Sequence, residues 1–199
     1  MRIKLIVLIL IGSILFSFYV KDLRDIDVST SIYHIKYSQR FEQPLEIDYT
    51  VQCNPASDVH YSRRGLKFRK VDSIQTSDDK DYYKNVWDKG HMAPAAAFNC
   101  DLIALGQTFS YVNCALQHKD LNRGPWKYLE QYERDLAINN NITVNIQVDF
   151  TGASRLKTGA MIPTGFRKTI CVNGKLFKTY YFPNQSVRGS YENFLEKKW

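Results

Sequence analysis

The sequence predicts an α+β domain in which an antiparallel sheet carries helices on a face or at an edge. Three segments predict it. Residues 142 to 150 alternate apolar and polar side chains, the pattern of a half-buried strand. Asn173-Gly174 separates two β-rich segments and is a strong signal for a two-residue hairpin turn. Residues 122 to 137 carry a mainly apolar stripe at helical spacing. Together these segments indicate the α+β class.

The earlier elements are less regular. Residues 21 to 44 are mixed and polar and predict a lead-in or linker, whereas residues 45 to 52 alternate and predict a strand. Residues 54 to 62 predict a loop, and the acidic segment 72 to 84 predicts an exposed connection. A strand is expected over residues 108 to 114.

The helix that follows is expected to begin at Asn122. Asparagine is a good N-cap residue, and Pro125 would then lie within the first turn, where proline is tolerated.

Bulk composition favours one folded, basic domain. The 199 residues are 44% hydrophobic and 14% aromatic, which is enough for a sizeable core. The net charge of +7 favours polyanionic partners such as nucleic acid or an anionic membrane, although a soluble basic protein has the same charge. A cluster of basic residues precedes a histidine motif; such a run is usually a solvated face, and its position before the motif is compatible with phosphate binding. The basic residues are Arg63, Arg64, Lys67, Arg69 and Lys70.

Residues 1 to 20 are typical of a targeting segment. Arg2 and Lys4 precede an apolar stretch over residues 5 to 20, which is short for a membrane span of about 20 apolar residues. A secretory signal is the better interpretation, and an uncleaved signal anchor is the alternative. The expected location is secreted, lumenal or extracellular, either free or anchored through residues 5 to 20.

Cysteines and glycosylation patterns agree with an oxidising compartment. The cysteines are an even number without the close pairs of a zinc site, which indicates disulfides or buried thiols and leaves three connectivities open. They lie at positions 53, 100, 114 and 171. Asn141-Ile142-Thr143 and Asn184-Gln185-Ser186 match the acceptor pattern for N-glycosylation.

Two motifs carry the chemistry. Asp88-Lys89-Gly90-His91-Met92-Ala93-Pro94 offers a histidine, which suits a general base because its unperturbed pKa lies near neutral pH. The second motif is Asn122-Arg123-Gly124-Pro125-Trp126-Lys127-Tyr128-Leu129-Glu130. Its amide and carboxylate would share a helix face and suit a hard cation, which prefers oxygen ligands. Taken singly, these residues would be a turn histidine, a helix cap and a solvated glutamate. Together they indicate metal-assisted phosphodiester hydrolysis.

The motifs resemble those of the DNA/RNA non-specific endonucleases, which are endonuclease G-like ββα-metal nucleases. The first is similar to the Asp-Arg-Gly-His signature of that family. Asn113-Cys114-Ala115-Leu116-Gln117 and the Asn122 motif match its second block in order and spacing. Met161-Ile162-Pro163-Thr164 and Phe182-Pro183-Asn184-Gln185, on either side of the hairpin, resemble its C-terminal half.

The resemblance implies a nuclease domain over residues 45 to 199, with a ββα-metal fold and a central antiparallel sheet flanked by helices. It implies cleavage of DNA and RNA to 5′-phosphate products. His91 would be the general base, and Asn122 would be the direct ligand of Mg²⁺, with Mn²⁺ as a substitute. Glu130 would hold a metal-bound water. Asn113 would support the site or the phosphate.

The resemblance also places a basic residue on the phosphate, and Arg63 is preferred to Arg64 for this role. Because some family members dimerise, a homodimer is a further expectation.

Two features depart from the family pattern. Lys89 stands where the signature has arginine, which keeps the charge but loses bidentate phosphate geometry. Cys114-Ala115-Leu116 replaces a proline-containing sequence after Asn113. Neither departure removes the base or the metal ligand, so we expect an active enzyme with Lys89 in its site.

Three alternatives stay open. The first is a catalytically impaired relative that binds nucleic acid through its basic surface. The second is a disulfide-stabilised secreted binding protein without a nucleic-acid role. The third is a thiol hydrolase that pairs Cys100 or Cys114 with His91, which an even set of cysteines in an oxidising compartment disfavours.

Overall fold

A computed structural model of the chain describes residues 23 to 196. The predicted signal or anchor over residues 1 to 20 lies outside the described residues. Within them, no helix is long and apolar enough to cross a membrane.

Residues 23 to 196 form ten strands and three α-helices. The strands are β1 (Asp25–Ser29), β2 (Tyr33–Ser38), β3 (Gln43–Thr50), β4 (Trp87–His91), β5 (Cys114–His118), β6 (Ile142–Asp149), β7 (Ser154–Arg155), β8 (Met161–Ile162), β9 (Gly165–Val172) and β10 (Lys175–Pro183). The helices are α1 (Leu102–Thr108), α2 (Lys119–Leu121) and α3 (Lys127–Leu136). Single 3-10 turns lie at Asp79–Tyr82, Ala95–Ala97, Tyr111–Asn113 and Tyr191–Phe194.

Six antiparallel strands make the central sheet, in the order β1-β2-β3-β6-β9-β10. The turn between β9 and β10 has φ of 51° at Asn173 and 76° at Gly174, as a type I′ hairpin turn requires. Strands β4 and β5 pair separately, as do β7 and β8. The predicted α+β class with a central antiparallel sheet is confirmed.

Residues 23 to 44 belong to this sheet, so the expectation of a linker was wrong for them. Strand β1 pairs with β2, and β2 pairs with β3. Ile35 and Tyr37 of β2 are fully buried, whereas His34 and Lys36, which alternate with them, are exposed. The segment reads as mixed and polar because a strand with one solvated face carries polar residues at every second position.

The strand expected over residues 108 to 114 begins later. Helix α1 extends to Thr108, and a 3-10 turn over Tyr111–Asn113 leads into β5. Asp101 caps α1 by accepting hydrogen bonds from the backbone N–H groups of Ile103 (2.7 Å) and Ala104 (2.9 Å). This N-cap was the local signal that sequence reasoning missed.

The second motif lies on a helical segment that starts before Asn122. His118, rather than Asn122, caps this segment, because its Nδ1 accepts from the Asp120 N–H at 3.2 Å. Residues Asn122–Trp126 then form a wide π turn between α2 and α3. Pro125 cannot donate a hydrogen bond, and Gly124 has non-helical torsions (φ −108°, ψ −117°), so the regular helical ladder is interrupted there.

The helical segment packs on the inner face of the sheet through Trp126. Its fully buried ring meets Phe166 of β9 and Phe182 of β10 edge-on, at centroid distances of 5.4 and 5.5 Å. Aromatic pairs in this geometry add to the free energy of burial.

A buried ion pair joins α3 to the sheet. The Nζ of Lys168 donates to Oε1 of Glu133 at 2.8 Å, and both side chains are fully buried. The hydroxyl of Tyr49 donates to Oε2 of Glu133 at 2.8 Å. The Lys168 ammonium also lies 4.2 Å from the Trp126 ring centroid. The helix that carries the second motif is therefore tied to β3 and β9 by one charged cluster.

We expect Lys168→Met to lower the free energy of unfolding by about 3–5 kcal/mol, because it leaves Glu133 buried without its cation. The double variant Lys168→Met, Glu133→Leu should recover part of that loss, since no uncompensated charge remains. Urea denaturation at pH 7, followed by circular dichroism, measures both. Equal losses in the single and double variants would contradict this account.

Candidate active site

His91 is the last residue of β4 and lies opposite Cys114 of β5. Its ring contacts those of Phe68 and Phe109, at centroid distances of 4.7 and 4.9 Å. Its Nε2 atom is buried and has no hydrogen-bond partner among residues 23 to 196. Burial, followed by the positive charge of Arg63, lowers the pKa of His91 to about 3. The imidazole is therefore neutral at neutral pH.

The glycine before His91 allows two strands to approach closely. A Cβ atom at Gly90 would lie 2.5 Å from Oε1 and 2.6 Å from Cβ of Gln117. A side chain at this position would displace β4 from β5. The close packing of β4 against β5 therefore explains why the first motif has glycine at position 90.

Asn113 fixes the chain that follows His91. Its fully buried side chain accepts from the Ala93 N–H at 2.8 Å. Its Nδ2 donates to the carbonyl oxygens of Ala93 (2.9 Å) and Thr108 (3.0 Å). Because its polar groups are all bonded inside the protein, this geometry matches the site-supporting role and not contact with a phosphate.

Asp88 connects the two motifs. Its Oδ2 accepts from Nδ2 of Asn122 at 2.9 Å and from Nε of Arg123 at 2.7 Å, and its Oδ1 accepts from Nη2 of Arg123 at 2.6 Å. Burial alone would raise the pKa of Asp88, but the hydrogen bonds from Arg123 and Asn122 lower it below the usual value. The bond engages the amide nitrogen of Asn122 and leaves its oxygen as a potential ligand. Sequence analysis assigned no role to Asp88.

Asn122 and Glu130 line one cleft. In a regular α-helix, eight residues rotate two turns plus about 80°, which would turn the two side chains apart. The kink at Gly124 interrupts this regular rotation, and both side chains line the same cleft.

The cleft has a volume of about 840 Å³ and is predominantly cationic. His91 and two acidic side chains, Asp88 and Glu130, face five cations. The cations are Arg63, Lys89, Arg123, Lys127 and Arg134. Every predicted site residue except Asn113 lines it. Of the basic cluster over residues 63 to 70, Arg63 alone lines it within the described part of the chain. This charge distribution suits a polyanion.

Comparison with known proteins identifies the family. Residues 23 to 197 match the model of the DNA/RNA non-specific endonuclease family. This chain belongs to that family. Nuclease EXOG, mitochondrial, of Danio rerio is 37% identical over 79 residues, which are 38% of this chain and 23% of the relative. Endonuclease G, mitochondrial, of Homo sapiens is 30% identical over 145 residues, or 63% and 49% of the two chains. The chain thus spans less than half the length of these curated relatives.

A solved structure shares the fold. A chain in the crystal structure of the EndoG/EndoGI complex superposes with a TM-score of 0.73 at 24% sequence identity. The match covers 87% of this chain and 81% of that chain. The predicted ββα-metal nuclease fold is confirmed.

Lys89 stands where the family signature has arginine, and its ammonium group contacts other residues of the protein. Its ammonium forms an ion pair with Asp79. It also lies 5.4 to 5.8 Å from the ring centroids of Phe68, Tyr82 and Tyr111. Asp79 is mostly exposed, so water or a phosphate can compete for the ammonium.

The states of Cys100 and Cys114 exclude the thiol-hydrolase alternative. Cys100 is bonded to Cys53 in a disulfide. The Cys114 thiol is buried and lies 3.2 Å from the Tyr82 hydroxyl, and burial raises its pKa to about 12. Neither sulfur supplies a thiolate beside His91, so that alternative was wrong.

The asparagine of one N-glycosylation pattern, Asn184, has a structural role. Asn184 is buried, and its side chain accepts from the His118 N–H and donates to the carbonyl oxygens of Leu116 and Pro163. A glycan on Nδ2 would replace one of its two hydrogens and so remove at least one of the two donated hydrogen bonds. Asn141, in the other pattern, is exposed.

Glu130 makes stability depend on pH. Burial raises the pKa of its carboxyl from 4.5 to about 7; Lys168 and Arg134 oppose this rise, and Glu133 adds to it. Between these two values the folded state holds a proton that the unfolded chain releases, so stability falls as pH rises through that window. Glu130→Gln removes this pH-dependent contribution to the free energy of unfolding. We therefore expect the stability of Glu130→Gln relative to wild type to increase from pH 4.5 to pH 7 and then to level off. Urea denaturation with chelator present measures it; parallel pH profiles would contradict the assignment.

Proposed function

We propose that this chain is a metal-dependent endonuclease that hydrolyses phosphodiester bonds of DNA and RNA without sequence preference and leaves 5′-phosphates. The observation that carries the proposal is the basic cleft in which His91, Asn122 and Glu130 meet. Membership of the nuclease family supports the reaction class. The cationic lining supports a polyanionic substrate.

His91 is proposed as the general base. Its neutral imidazole accepts a proton from the attacking water, and its Nε2 has no hydrogen-bond partner among residues 23 to 196. Arg63, whose charge disfavours protonation of His91, is proposed to bind the substrate phosphate. A bound phosphate offsets that charge and so raises the basicity of His91 during the reaction.

The donor set fits Mg²⁺, with Mn²⁺ as a substitute. The Asn122 oxygen is proposed as the direct ligand, since Asp88 holds the amide nitrogen away. Glu130 is proposed to accept a hydrogen bond from a metal-bound water. Among residues 23 to 196, no cluster of three or more His, Cys, Asp or Glu side chains is placed to hold a metal. A cation that keeps most of its waters needs no such cluster. When bound, it would stabilise the negative charge that develops at phosphorus.

We also propose that the protein acts in a secreted, lumenal or extracellular compartment. The Cys53–Cys100 disulfide supports an oxidising environment. Residues 5 to 20 would serve as a signal or as a membrane anchor. A homodimer stays a prediction, which sedimentation of the purified protein would test.

We expect the purified protein to degrade supercoiled plasmid and RNA with Mg²⁺, and chelator to stop both reactions. His91→Ala should reduce the rate by about 10²–10⁴-fold because the general base is lost. Initial rates of plasmid nicking on an agarose gel measure the effect. Tyr83→Ala, an exposed residue outside the cleft, is the matched control. Near wild-type nicking by His91→Ala would sink this mechanism, and binding without cleavage under any divalent cation would favour the impaired relative.

Lys89 is proposed to leave Asp79 and contact phosphate when substrate binds. Lys89→Ala should then raise KM and weaken its dependence on salt, because one phosphate contact is lost. Lys89→Arg should preserve or raise activity. Asp79→Asn should lower KM, since it releases the ammonium. KM values from plasmid cleavage at two salt concentrations measure these effects, and an unchanged KM in all three variants would place Lys89 outside the phosphate path.

A further inference from the structure

The loop over residues 54 to 70 places a tyrosine ring in the wall of the cleft. Tyr61 lines the cleft together with Ser62 and Arg63, and it is 42% exposed. None of the ring contacts found among residues 23 to 196 involves it. Tyr83 and Tyr128 are also exposed but do not line the cleft. The position of Tyr61, rather than its exposure, therefore distinguishes it.

The structure anchors Tyr61 to the floor of the cleft. Its backbone N–H donates to the carbonyl oxygen of Asn99, another lining residue, at 2.6 Å. Next to Asn99, Cys100 is joined by the disulfide to Cys53, where the loop starts. The Cys53 N–H donates to the carbonyl oxygen of Ala97 at 2.9 Å. The backbone that carries the ring is thus attached to the segment that follows His91, so ligand binding at Tyr61 orders little additional loop backbone.

The same loop also brings a cation to the cleft. Arg63, two residues after Tyr61 in the chain, lines the cleft, and its charge acts on His91. Proteins that bind single strands combine a cationic path for the backbone with aromatic side chains on which bases stack. Tyr61 and Arg63 offer both groups on one loop. Because every base has a π-face, such stacking tolerates any sequence.

We propose that Tyr61 stacks on an unpaired base of the substrate strand and makes the cleft favour single-stranded over duplex nucleic acid. The inference rests on the proposed function, because it assumes that the cleft binds a nucleic-acid strand. In a duplex the bases already stack on one another, so the ring gains a partner only when a base leaves the stack. Tyr61 is therefore a binding residue that selects the state of the substrate.

The test measures binding without catalysis. Fluorescence anisotropy of the full chain with chelator compares a labelled oligothymidylate with an abasic phosphodiester oligomer of the same length and charge. We expect wild type to bind the oligothymidylate roughly tenfold more tightly, which is the scale of one base stacked on an aromatic ring. Tyr61→Ala should remove this preference and leave affinity for the abasic oligomer unchanged.

Two variants separate the ring from its hydroxyl. Tyr61→Phe and Tyr61→Trp keep a π-face and should keep the preference for bases. Tyr83→Ala, the matched control, should bind both oligomers like wild type. A loss in Tyr61→Phe as large as that in Tyr61→Ala would show a hydroxyl contact to phosphate and would overturn the inference. Equal affinity of wild type for both oligomers would overturn it as well.

Cleavage by the same preparations distinguishes the two proposals. Tyr61→Ala should lower the ratio of kcat/KM for single strands to kcat/KM for duplex by about the same factor. Cleavage of both substrates without any base preference in binding overturns the stacking role and leaves the nuclease function standing. Failure of wild type both to bind and to cleave overturns both proposals.

Discussion

The carboxylate of Asp88 holds together the two segments on which the site depends. It lies on β4, three residues before His91, and it accepts hydrogen bonds from Asn122 and Arg123 of the helical segment. These bonds orient the Asn122 amide so that its oxygen is available to the cleft. They join the strand that carries the proposed base to the turn that carries the proposed ligand.

Helix α3 is fixed from its other side by charge. The buried pair of Lys168 and Glu133 lies one turn beyond Glu130 and beneath the Trp126 ring. The two members of the pair shift the pKa of Glu130 in opposite directions. Lys168 lowers it and Glu133 raises it, but burial has the largest effect. As a result, the pKa of the Glu130 carboxyl is about 7, in a cleft rich in cations. A carboxyl group that is partly protonated at neutral pH would repel the proposed phosphate ligand less than a fully ionised one.

The loop that carries Tyr61 forms one wall of the cleft and is held in place differently. It is a loop without regular secondary structure, so its shape comes from a disulfide and from backbone hydrogen bonds to the segment after His91. Residues for binding are thereby attached to the elements proposed for chemistry. Loops often carry function when a rigid scaffold positions them, and here a covalent bond supplies much of that rigidity.

The sequence by itself determined the class of the fold, the hairpin at Asn173-Gly174 and the alternation of β6, because these follow from local periodicity and turn chemistry. Its two motifs also indicated the family. The tertiary structure decided what depends on contacts between distant segments. It showed that residues 23 to 44 complete the sheet, that Asp88 binds the Asn122 amide, and that Asn122 and Glu130 line one cleft on either side of a kink at Gly124. Local sequence does not encode such contacts, since a polar residue reads the same whether it faces solvent or a buried partner.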